Sequence, residues 1–315
     1  KMDFLENIPD KIMAKLDKAN LGLPQQVLST PNPVLQKHGF TSDDIKFLRG
    51  LAAKSLCPEF KTVHDVINTQ VSKWNQILFG CDPIDACTGG VSTRGITEIF
   101  GESGSGKTQL LLQLSLMVQL PPHHGGLGRG AVFINTEKRF PWKRLHQLAQ
   151  HFNKIFPETK CSDNIFIGHC FDEEAFTSFT TSRLSTLMKR NNFGLIVIDS
   201  IAGIYRLEEN VIIRANKMRK LADNLLHLID DYNCAVVCAN QVTANVNSGT
   251  STPSLGLAWS NLVRTRLKIY KTGRQSVCKR TGQNVPVRKL EILHSNRVSC
   301  NACEFLITSE GSVSL

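Results

Sequence analysis

Beyond Gly80 the apolar residues come in short runs, Ile96–Phe100, Ala131–Asn135, Leu195–Ile198 and Ala235–Ala239. Runs of this length without alternation suit strands buried on both faces of a parallel sheet. Between them the period changes to that of a helix, as in Met218, Leu221, Leu225, Leu228 and Ile229, which fall on one stripe. Strand, helix, strand in this order predicts an α/β core with a doubly wound, mostly parallel sheet. From Val263 the pattern alternates, with Val263, Thr265, Leu267 and Ile269 on one face and Arg264, Arg266 and Lys268 on the other. These strands and the closing run Glu304–Thr308 are expected to extend the sheet antiparallel at its far edge, with a flexible hairpin over Thr272–Val285.

The opening residues read differently. Thr41 with Asp44 three positions on forms a capping box, and Ile45, Leu48, Leu51 and Ala52 follow at helical spacing. We expect a small all-helical domain over 1–56, a linker over 57–79 where apolar anchors are few, and the α/β core over 80–315. No internal repeat or low-complexity tract interrupts this division.

Composition narrows the class. Hydrophobic residues make up 41% of the 315 and charged residues only 20%, enough for a full core. No apolar run reaches the length of a membrane span, and no charged-then-apolar leader opens the chain, so a soluble, intracellular protein without a membrane partner is expected. In that setting the ten cysteines stay thiols, with Cys234 and Cys238 as small strand hydrophobes. Cys300 and Cys303 have zinc-like spacing but no second ligand pair, which favours strand packing. His123 and His124 lie in a Pro- and Gly-rich loop and read as surface residues.

The net charge of +10 favours a polyanionic partner, and between Arg264 and Arg297 ten Lys or Arg stand against one acid, Glu291. Arg264, Arg266 and Lys268 therefore read either as a DNA-backbone surface or as a solvated strand face.

The chemistry centres on GESGSGKT, residues Gly101, Glu102, Ser103, Gly104, Ser105, Gly106, Lys107 and Thr108, between the first apolar run and a leucine-rich helix that begins at Gln109. Glycines let the backbone turn its N–H groups around phosphate oxygens, and the helix N-terminus adds its dipole. Lys107 then reaches the β- and γ-phosphates of ATP, and the Thr108 hydroxyl ligates Mg2+. A second carboxylate for the metal belongs at the end of a buried strand, and Leu195–Asp199 ends in one. An unpaired acid closing an apolar run is costly to bury, so Asp199 is expected at the ion, the alternative being a helix cap. Glu137, just past Ala131–Asn135, is a candidate to polarise water if its strand neighbours the glycine-loop strand. The alternative is a surface glutamate. Gln241 could sense the terminal phosphate, or Asn240 and Gln241 could be a satisfied turn pair.

In this order GESGSGKTQ, TEKRF, LIVIDS and ANQVT resemble the RecA-type ATPase core of eukaryotic and archaeal strand-exchange recombinases, over about Gly80 to the end of the chain. VQLPPHHGGLGRGAVFINTE, FPWKRL and LGLAWSN resemble, more narrowly, the eukaryotic recombinase paralogues that assist repair. The resemblance implies ATP and Mg2+ as cofactors, Asp199 in the metal's second shell, Glu137 as the water activator, Gln241 as the γ-phosphate sensor and Arg144 stacked on adenine. It further implies that Gly203–Arg214 and Val242–Leu255, with Arg206 and Arg214, approach DNA. The protein it describes is a nuclear, or nuclear and cytoplasmic, subunit of a paralogue hetero-oligomer in homologous-recombination repair. Such a subunit holds ATP at or near the interface, binds single-stranded or branched DNA, assists the main recombinase and hydrolyses ATP slowly. The alternatives are a filament-forming DNA-dependent ATPase that exchanges strands itself and a ring-shaped RecA-type helicase. Three departures from the family pattern weigh against those: Lys138 where a glycine is usual, no Phe-x-x-Ala in the linker (Phe179–Ser182 lies inside the core), and short DNA loops.

Overall fold

The computed structural model describes residues 4, 8–19, 21–57, 62–69, 74–137, 139–159, 163–206, 208–244 and 251–315. It divides into two compact units, Lys1–Val71 and Ser72–Leu315.

The first unit is helical: α1 Asp10–Ala19, α2 Pro24–Ser29, α3 Asn32–Lys37, α4 Ser42–Leu56 and α5 Val63–Thr69. Thr41 caps α4 as its spacing predicts, accepting the Asp44 N–H while the Asp44 carboxylate accepts that of Thr41. Its apolar stripe, Ile45, Leu48 and Ala52, is buried with Leu16, Val27 and Leu35 in a core of the unit's own.

The second unit opens with β1 Gln76–Ile77, α6 Asp82–Thr88 and β2 Val91–Ser92. Here the linker expectation for 57–79 is corrected: α5 lies within it, β1 pairs with β2, and Ile77 and Phe79 are fully buried in the main core. The apolar residues of this stretch are spaced too irregularly to give a readable period, yet Ile77 and Phe79 anchor the chain.

Then follow β3 Ile96–Gly101, α7 Lys107–Met117, β4 Gly130–Asn135, α8 Trp142–Ile155, β5 Ile165–His169, α9 Glu173–Ser178, α10 Leu184–Arg190, β6 Phe193–Asp199, α11 Ile201–Tyr205, α12 Val211–Tyr232, β7 Ala235–Ala244, β8 Ser251–Pro253, α13 Gly256–Ser260, β9 Thr265–Val277, β10 Asn284–Ser295, β11 Ala302–Thr308 and β12 Gly311–Val313. One sheet runs in the order β12-β11-β10-β9-β3-β7-β6-β4-β5, with β8 paired to β7. From β9 to β5 every neighbouring pair is parallel. The antiparallel extension starts only at β10, so β9 corrects the sequence expectation: it joins β3 in parallel. Its alternation follows burial: Leu267 and Ile269 lie in the main core, while the other face is only partly buried. The Thr272–Val285 hairpin is also mostly strand, with β9 running to Val277 and β10 starting at Asn284.

The strands β3, β4 and β6 are buried along their whole length, as mostly apolar runs in a parallel sheet require. Helix α7 is buried on nearly every side, with Leu110, Leu111, Leu112, Leu114 and Leu116 wholly enclosed. A helix apolar all round belongs in a core. Its one buried amide is satisfied: Gln113 donates to the Phe79 carbonyl (2.7 Å) and accepts from the Ser312 N–H and hydroxyl (2.7 Å each). On the opposite face α12 buries the expected Met218, Leu221, Leu225, Leu228 and Ile229. The sequence does not announce β5, whose residues are only partly buried.

Candidate functional site

Ligands of open parallel sheets bind beyond the carboxyl ends of the strands, where the connections diverge. Here β3 has β7 on one side and β9 on the other, and the glycine loop leaves its carboxyl end. Register sets Gln241 opposite Gly101 and Asp199 opposite Asn135, so the ends of β3, β7, β6 and β4 meet at one cleft. The cleft encloses about 570 Å³, within the range for a nucleotide-sized ligand, and is lined by Ser103, Gly104, Gly106, Lys107, Thr108 and Gln109, together with Glu137, Asp199 and Gln241.

Gly104 (φ +70°) and Gly106 (φ +119°) hold the loop in the left-handed region, which lets successive N–H groups turn inward ahead of α7. A side chain at Gly101 could not fit, because a Cβ there would lie 2.1 Å from the Ile269 carbonyl oxygen. Lys107 is 8% exposed, and its Nζ donates to the carbonyls of Gly101 and Glu102, 2.8 Å each. Burial pulls its pKa down, while Asp199, Glu137 and Glu102 pull it up.

The Thr108 hydroxyl donates to Asp199 Oδ2 at 2.7 Å, joining the α7 N-terminus to the end of β6 across three strands. Asp199 is 5% exposed. Burial raises its pKa to about 6 against the pull of the Thr108 hydrogen bond. A hydroxyl and a carboxylate in contact, beside a lysine and a glycine nest, are the donor set for a magnesium polyphosphate. These residues fit that group.

Glu137 reaches the cleft although its strand is not the neighbour of β3; β7 and β6 lie between. The condition set from sequence fails, and the side chain arrives because all four strand ends converge. It accepts from the Ser200 hydroxyl and from Gln241 Nε2, both at 3.1 Å. Arg206 Nη1 in turn donates to Gln241 Oε1 at 3.3 Å. Lys138 lies outside the described residues, as do Leu207 and 245–250 of the two expected DNA loops. The first of those loops is partly the helix α11, and Arg214 donates to the Glu208 carbonyl.

Arg144 is beside the cleft but not among its lining residues. Its guanidinium donates to Gln109 Oε1 (2.6 Å) and to the carbonyls of Thr308 (2.6 Å) and Ser309 (3.0 Å). Burial lowers its pKa. Sequence reasoning missed Arg139 and Pro141, two and four positions beyond Glu137, as well as Arg288 and Ile307, which line the cleft from β10 and β11, distant in sequence. Only the fold brings them there.

The three basic residues of the alternating strand have different surroundings. Arg266 donates through Nε to Glu98 Oε2 at 2.6 Å, donates to the Ser260 hydroxyl and lies over the Phe100 ring. Glu98 is fully buried and also accepts from Asn240 Nδ2 at 2.7 Å, so Arg266 neutralises an acid of the core. Asn240 is thus a satisfied core amide, while its neighbour Gln241 faces the cleft. Lys268 lies over the Tyr270 ring opposite Glu291, and exposed Arg264 lines a separate hollow with Arg94 and His294. Alternation gave the face of Arg266 but not its acidic neighbour on β3. Among the described residues every cysteine is a free thiol, no group of His, Cys, Asp and Glu is placed to hold a metal, and no helix is long and apolar enough to cross a membrane. Cys234 and Cys238 are fully buried, Cys303 packs against the core, and His123 and His124 are exposed.

Residues 70–313 match the Rad51 family. The chain is similar to the bovine (Bos taurus) DNA repair protein XRCC3, 31% identical over 336 aligned residues that cover 98% of this chain and 96% of that protein. The DNA repair protein rhp57 of Schizosaccharomyces pombe is 33% identical over 229 residues, 58% of this chain and 65% of its own length. The DNA repair and recombination protein RadA of Aeropyrum pernix is 34% identical over 235 residues, 72% of each.

Proposed function

The chain belongs to the Rad51 family, and on that premise we propose that it is an ATP-binding recombinase paralogue of homologous-recombination DNA repair, close in kind to XRCC3, whose nucleotide fastens it to a related subunit. The observation that carries this reading is the 2.7 Å contact between Thr108 and Asp199 beside Lys107 and the glycine nest. In it Lys107 would hold the polyphosphate, and Thr108 and Asp199 would hold Mg2+. Bound magnesium neutralises phosphate charge. Glu137, held by Ser200 and Gln241, orients water toward the terminal phosphate, and Gln241 senses that phosphate. Arg144 takes the adenine end.

Ser103, Glu137 and Arg139 line the cleft and are exposed, so part of the site is open to a neighbouring subunit. A ligand that binds only the assembled pair shifts association by mass action without needing hydrolysis. Occupancy is the primary role and slow turnover the reset. Single-stranded or branched DNA and the main recombinase are the further partners proposed, with the nucleus as the place of action.

Co-purification of the full chain with related paralogues, with and without magnesium ATP and with Lys107→Ala alongside, tests this. Association that depends on ATP and is lost in Lys107→Ala is expected. Long homopolymers with strongly DNA-stimulated hydrolysis would instead identify a filament-forming recombinase.

A further inference from the structure

Two cations flank the glycine loop from the sheet side. Lys271 on β9 and Arg288 on β10 are direct cross-strand partners. Leu267 and Ile269 on β9, and Leu290 and Ile292 on β10, are buried in the core that contains α7. Side chains alternate along a strand, so Lys271 and Arg288 stand on that same face, one step beyond the apolar rows. There the sheet meets the loop. Arg288 Nε donates to the Ser105 carbonyl at 2.9 Å, and a Cβ on Gly106 would lie 3.3 Å from that same nitrogen. A Cβ on Gly104 would lie 3.6 Å from Lys271 Nζ.

Like charges directly opposite each other destabilise an antiparallel pair. Among the described residues neither Lys271 nor Arg288 is in an ion pair. The ladder is also bent at this point. Pro286 pairs with Gln275 and Arg288 with Lys271, so Thr272, Gly273 and Arg274 oppose Val287 alone, with Gly273 at φ +78°. Bulges of this kind bend a strand and re-aim its side chains. Core packing gives no reason to hold two unpaired cations face to face beside a glycine nest.

We propose that Lys271 and Arg288 form a second cationic wall of the nucleotide site, with Arg288 bracing the glycine loop through Ser105 and the pair together attracting the polyphosphate. The proposal rests on the nucleotide reading above. For N–H groups to face an anion, the loop's carbonyls must turn outward, and the Ser105 carbonyl finds its donor in Arg288. Arg288 lines the cleft while Lys271 adds charge from behind Gly104. The ligand class selected is a magnesium di- or triphosphate over an uncharged nucleoside.

Calorimetric titration of the full chain with ATP, ADP and adenosine in Mg2+ tests it on wild type, Arg288→Met, Arg288→Lys, Lys271→Met and Lys107→Ala. Arg288→Met is expected to lose about tenfold or more in ATP affinity, as a lost charge-assisted contact implies, and less for ADP, with adenosine unchanged. Lys271→Met loses less. Arg288→Lys recovers part, since a point charge replaces a fork that also grips Ser105. Wild-type ATP affinity in Arg288→Met overturns the proposal, and so does an equal loss for all three ligands, which would mark a purely structural role. If Lys107→Ala matches wild type as well, the nucleotide site itself is refuted and this wall falls with it.

Discussion

Asp199→Asn should make the nucleotide-free protein more stable and, at the same time, unable to use magnesium ATP. The carboxyl is 5% exposed, and burial lifts its pKa from 3.8 to about 6. The Thr108 hydroxyl and Lys107 act against this rise and Glu137 adds to it. The gap corresponds to about 3 kcal/mol against the ionised form. Because the folded pKa exceeds the unfolded one, the native state binds more protons between pH 3.8 and about 6. Stability therefore falls as pH rises through that window, and the full cost is present above it. Asparagine removes the charge while its amide oxygen can still accept from Thr108 at the present 2.7 Å geometry.

Urea denaturation without nucleotide, from pH 4 to pH 8, measures the difference. We expect the variant to exceed wild type by up to about 3 kcal/mol at pH 8, or roughly 6–12 °C in Tm for the larger unit, with the gap closing toward pH 4. Saturating magnesium ATP should then reverse the order. Ligand at about a thousand times Kd adds about 4.1 kcal/mol to wild type, more than the roughly 3 kcal/mol gap, and much less to a variant that has lost the metal's carboxylate. A variant less stable than wild type at pH 8, or a gap that does not change with pH, would refute the reasoning.

Glu98→Ala strands Arg266 and Asn240 in the core and should cost about 3–5 kcal/mol in urea denaturation, whereas Glu98→Leu with Arg266→Met should recover most of it. Arg266→Gln should likewise lower stability more than it lowers DNA affinity at low salt, measured by anisotropy with a single-stranded oligonucleotide. Leu112→Ala, at the centre of a helix enclosed on all sides, should cost about 2–5 kcal/mol in the same denaturation assay. Glu137→Gln should keep ATP binding and slow single-turnover hydrolysis by about a hundredfold or more, and equal turnover would remove Glu137 as the water-orienting group.

The glycine loop and Asp199 were legible because each breaks the pattern around it: the loop interrupts strand and helix with glycines, and the acid ends an apolar run. Glu98 breaks the pattern too, as the one charge inside Ile96–Phe100, and that signal was available. Its partner was not. Arg266 comes from a strand 168 positions later, and only the parallel pairing of β9 with β3 sets the two in register. Alternation along β9 shows which side chains share a face and says nothing of what the next strand presents there. Arg288 escaped for the same reason, and β5 because a short, half-exposed strand has no period to detect.

The order of strands also decides how the site must work. Glu137 stands two strands from the glycine loop's own neighbour, so it depends on the residues between: Ser200 after β6 and Gln241 on β7 hold its carboxylate, and Arg206 holds Gln241. A terminal phosphate that draws Gln241 toward itself has to take that amide from Glu137, from Arg206 or from both. On the proposed sensing role of Gln241, nucleotide state would thereby reach Arg206 at the end of α11, on the side where the expected DNA loops begin. Gln241→Ala should then weaken the dependence of DNA affinity on ATP while leaving ATP affinity near that of wild type, and an unchanged ATP dependence would break this chain at its middle link.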